Sequence, residues 1–63
     1  METLIKEIAK QMLDKGLSLT DTQMAIGCLE TREQFLKLKQ EVQQQKMMTR
    51  SAALAMATMI AEE

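Results

Sequence analysis

Between Glu2 and Lys15 the apolar residues Leu4, Ile5, Ile8, Met12 and Leu13 recur at spacings of three and four, with Ala9 on the same side. That period predicts an amphipathic helix over 2–15. Glu2, Lys6, Glu7, Lys10 and Asp14 take the other face, where Glu2–Lys6 and Glu7–Lys10 are set up as surface pairs. Gly16 follows directly and supplies the left-handed residue on which helices commonly end. In the connector "LSLT", Leu17 and Leu19 are expected to plug the core.

A second helix is expected over 21–30, with Thr20 or Asp21 as N-cap and with Met24, Ala25, Cys28 and Leu29 on its inner side. Gly27 within it costs roughly 1 kcal/mol against alanine, which suggests a close approach by another helix. "TREQ", residues 31–34, has the capping-box spacing: a threonine hydroxyl for the amide three residues on, and a glutamine to reach back. A third helix therefore starts at Arg32, with Phe35, Leu38 and Val42 as its buried edge and Leu36 at the flank.

After Val42 the stripe fades into "QQQKMMTRS", where no residue breaks a helix but Thr49 or Ser51 could cap a new one. Two readings follow. Helices at 32–48 and 50–62 are separate, or they form one continuous helix roughly 45 Å long, which the helix-forming composition favours. A fold of this size has a radius of gyration near 11 Å, so one such helix would project well beyond it.

The last segment, "AALAMATMIA", is apolar nearly all round, with Thr58 as its one polar side chain. A helix of that kind is normally covered on every side. Three short amphipathic helices offer little area for this, so a second copy of the chain is the expected cover. The expected fold class is therefore all-α: one domain over 1–63, a small bundle of three to four helices completed by oligomerisation, a dimer first. Residues 1–46 form its core and 47–63 its oligomerisation helix. Ala53, Leu54, Met56, Ala57, Met59 and Ile60 are the candidate interface.

Composition narrows the chemistry. A 63-residue chain is marginal alone, and one cysteine with no histidine provides neither an internal disulfide nor a zinc site. The lone Cys28 is expected in the core, in a protein of a reducing cytoplasm. The N-terminal "METLIKEIAKQ" shows no secretory leader pattern, and the apolar tail is half the length that crosses a bilayer. Seven methionines fit adaptable packing better than copper ligation, since no histidine or second thiol could assist. Met47 and Met48 lie in a polar stretch, so one of them is expected at the surface or in an interface. Serine and cysteine lack a histidine base, and there is no phosphate loop. The chain is not expected to be an enzyme or to hold a cofactor or metal.

The net charge of −1 is unevenly spread. Lys6, Lys10 and Lys15 against Glu2, Glu7, Asp14, Asp21 and Glu30 leave −2 over residues 1–30. Arg32, Lys37, Lys39, Lys46 and Arg50 against Glu33 and Glu41 leave +3 over 31–61, and Glu62 and Glu63 close the chain. Those five cations are the candidate contacts for a partner. The expected function is that of a self-associating interaction protein, of inhibitor or regulator type, with an unknown protein partner. The alternative is a helix-turn-helix DNA binder reading with helix 32–46.

Overall fold

The structure, a computed structural model, describes residues 1–63. Four helices and no strand follow in order: α1 Glu2–Asp14, α2 Leu19–Gly27, α3 Arg32–Gln43 and α4 Arg50–Ala61. They form two helical hairpins side by side, with α1 against α3 and α2 against α4. Polar links between them fix their sense. The Met48 amide donates to the Lys15 carbonyl at 2.9 Å and the Lys15 ammonium donates to the Gln45 carbonyl, so α1 and α3 finish at the same end. Arg50 meets Asp21 at 3.5 Å, so α2 and α4 both start there. The radius of gyration is 10.0 Å.

Three of the four helices begin where a hydroxyl accepts from a first-turn amide, whereas α1 starts after Met1 without a side-chain cap. Thr31 Oγ1 accepts from the Gln34 amide at 3.2 Å, while Gln34 Oε1 accepts from the Thr31 amide at 3.0 Å, completing the capping box. The Thr49 hydroxyl does the same for Ala52 at 3.2 Å. The cap of α2 is Ser18, whose hydroxyl accepts from Asp21 at 3.1 Å. Neither Thr20 nor Asp21 fills that role, because α2 starts two residues earlier than its apolar pattern. Leu19 thereby joins the first turn and lies 58% exposed, leaving Leu17 alone to enter the core. Gly16 takes φ +105°, where a side chain would be strained.

One apolar cluster spans all four helices: Ile8 and Met12 from α1, Leu17 from the first turn, and Ala25 and Leu29 from α2 and its end. Phe35, Leu38 and Val42 of α3, Met48 of the loop, and Ala53, Ala57 and Ile60 of α4 complete it. Thr22 is its buried polar member, and its hydroxyl donates to the Ser18 carbonyl at 2.8 Å. The stripe on α2 therefore runs Thr22, Ala25, Leu29. Met24 and Cys28, one turn apart on the neighbouring stripe, face outward. The Cys28 thiol is exposed rather than buried and donates to the Met24 carbonyl at 3.3 Å. Nothing lies within 4 Å of a Cβ built on Gly27, so no helix approaches it closely.

The long continuous helix does not form. Gln44 caps α3, the chain turns back, and Thr49 starts α4 afresh. Met48 is drawn into the core while Met47 stands 78% exposed, its methyl over Gly16. The favourable helix propensity of "QQQKMM" gives way to burial of Met48 and to its hydrogen bond with the first turn. No helix is long and apolar enough to cross a membrane.

Candidate functional site

The chain's own helices cover one side of the apolar segment. Ala53, Ala57 and Ile60 face inward at 0%, 0% and 5% exposure. Two small residues one turn apart bring the α4 backbone close to the other helices, which cover this side of it. Leu54 and Met56 are half-buried at the flanks, and Met59 is 68% exposed. Ser51, Ala55 and Thr58 lie on the outward face, which carries no charge between Arg50 and Glu62. Of the six candidate interface residues, three belong to the core and three reach the surface.

The five candidate cations do not form one patch. Lys39 pairs with Glu7 of α1 at 3.0 Å, Arg50 pairs with Asp21 of α2, and Lys37 pairs with Glu63. These pairs tie helix to helix, and a partner's phosphates or carboxylates would have to displace them. Arg32 and Lys46 form no ion pair, one at the start of α3 and the other in the loop after it. Glu2 and Lys6 pair at 3.6 Å as their spacing suggests, whereas Glu7 turns to Lys39 instead of Lys10. The packing also differs from what a helix-turn-helix would lead one to expect. The two helices of that motif pack chiefly on each other, whereas α2 and α3 each pack chiefly on α1 and α4.

The concave part of the surface is the seam between α3 and α4. It holds two adjoining hollows, of about 400 Å³ and about 140 Å³. The larger is lined by Thr31, Glu33, Gln34, Lys37, Ile60 and Glu63. The smaller is lined by Met56, Met59 and Ile60 with Lys37, Glu41 and Glu63. Lys37, Ile60 and Glu63 border both, so the Lys37–Glu63 ion pair lies where the two hollows meet.

No family model, curated protein or solved structure matches this chain. No group of three or more histidine, cysteine, aspartate or glutamate side chains is placed to hold a metal ion. Thr22 is the buried polar residue, and its hydroxyl is already engaged by Ser18. The seam itself was not legible as a site. Its α3 wall, Gln34–Lys37–Glu41, reads in sequence as an ordinary solvated helix face, and only the packing of α4 beside it makes a groove.

Proposed function

We propose that this protein is a non-enzymatic interaction module that acts by binding another protein, as an inhibitor or regulator does. The observation that carries the reading is the α3–α4 seam, an open groove with exposed Met59 and half-buried Met56 along it and Ile60 at its floor. Exposed methionine is adaptable, and it is favoured at surfaces that accept a partner. Binding sites on small bundles are grooves between helices, and this molecule offers one.

Self-association is the second part of the proposal, supported by the uncharged outward face of α4 with Leu54, Ala55 and Thr58. It is weak. A 12-residue helix is about 18 Å long and 10–12 Å wide, which presents on the order of 200 Å² per partner. Stable interfaces bury about 800 Å² per partner. Dimers therefore form from already folded chains and only at high concentration. An exposed, unpaired Cys28 thiol fits a reducing cytoplasm.

A photo-crosslinking amino acid placed at Met59, and separately at Thr3 on α1, tests the reading in the cells of origin. Protein adducts are expected from position 59 and not from position 3. Equal adducts from both positions would overturn the proposal, as would adducts to nucleic acid from position 59.

A further inference from the structure

The lining of the α3–α4 groove identifies the chemistry of the partner, an inference that rests on the function proposed above. Three carboxylates, those of Glu33, Glu41 and Glu63, line the groove against one ammonium, that of Lys37. Glu63 is engaged by Lys37, whereas Glu33 and Glu41 form no ion pair. The net charge of the lining is −2, in the half of the chain whose other charges lean positive. Beside the carboxylates, on α4, lie Met59, largely exposed, and half-buried Met56, with the buried Ile60 at the floor. From Thr31 to Glu41 the α3 wall is about 15 Å long at 1.5 Å per residue, the length of two to three helical turns.

We infer that this groove receives a basic amphipathic helix of another protein, its apolar side chains against Met59 and Met56 and its lysines or arginines toward Glu33, Glu41 and Glu63. Docking of a helix in such a groove is read through apolar anchors one turn apart. The flanking charges set orientation and partner choice more than affinity. A second copy of the same face is disfavoured, because it would set carboxylates against carboxylates. The Lys37–Glu63 pair acts as a bar that an incoming cation displaces by taking its place on Glu63, joining the two hollows.

This makes Lys37 a residue whose removal strengthens binding. Lys37→Ala clears the bar and takes the lining to −3. Glu33→Lys with Glu41→Lys reverses the rim at positions that contribute nothing to the core.

The probe is a synthetic helix of leucine and lysine about four turns long, titrated into the full chain labelled at its methionine methyls. The control is the same helix with glutamate for lysine. Met56 and Met59 signals are expected to move, while those of Met24 and Met47, exposed elsewhere, stay. The double reversal is expected to weaken binding by about tenfold or more, and Lys37→Ala to tighten it several-fold.

The inference is overturned if the lysine helix does not bind, or if the glutamate helix binds as well. Shifts confined to Met24 or Met47 would overturn it too, as would looser binding by Lys37→Ala. Movement of Met56, which lies away from the outward face of α4, on concentrating the chain without peptide would assign the groove to a second copy instead. A chain that crosslinks a cellular protein through position 59 yet ignores the lysine helix keeps the proposed function and loses this partner.

Discussion

Leu38→Ala is expected to remove most of the protein's stability. Leu38 sits at 0% exposure in the middle of α3, between Phe35 and Val42 in the shared cluster. Truncating a fully buried leucine costs about 2–5 kcal/mol, the spread depending on how far the site collapses. At 0.05–0.15 kcal/mol per residue, a 63-residue chain has about 3–9 kcal/mol in total. With a urea dependence near 1 kcal/mol per M, at the low end for small proteins, the midpoint should fall by about 2 M or more. Leu36→Ala, two residues away at 37% exposure, should cost less than about 1 kcal/mol. Comparable losses at both positions would mean that α3 is rotated from the face described here.

Ala57→Leu is expected to destabilise almost as much, for the opposite reason. Ala57 has no exposed surface where α4 meets the bundle, and three added carbons have no space to enter. Overpacking of this kind costs typically about 1–3 kcal/mol. For a chain of this length that lowers the melting temperature by about 5–20 °C. Ala55→Leu, on the outward face, should leave it nearly unchanged. The comparison asks directly which face of α4 is inside. Were Ala55→Leu the harmful change and Ala57→Leu the harmless one, the helix would be turned toward a second molecule and the bundle described here would be incorrect.

Much of the fold was legible because local chemistry and packing agree there. Ile8 and Met12 on α1, and Phe35, Leu38 and Val42 on α3, follow a helical period that the core then uses. Thr31 and Gln34 form their reciprocal cap because both groups lie within one turn of each other. Gly16 ends its helix for the same local reason.

What was not legible depends on partners distant in sequence. The break after Gln43 is held by Lys15, some thirty residues away, through Gln45 and Met48. Cys28 looked like a core residue because it is apolar, but the stripe that turns inward passes through Thr22, a polar residue with its hydroxyl satisfied within the helix. How much of the tail its own chain covers was not legible either, because side-chain polarity alone does not reveal how closely Ala53 and Ala57 let α4 approach. The same limit hid the groove, whose two walls come from helices separated by a loop that the composition did not announce.

The claim on which the rest depends is that one chain closes its own core around α4, leaving the α3–α4 seam for another protein. Equilibrium unfolding in urea, repeated at chain concentrations about a hundredfold apart, tests it most directly, because stability that comes from assembly depends on concentration by mass action. A single midpoint, unchanged on dilution, is the result this account predicts. A midpoint that falls steadily as the chain is diluted would show that the fold itself needs a second copy, and would contradict it.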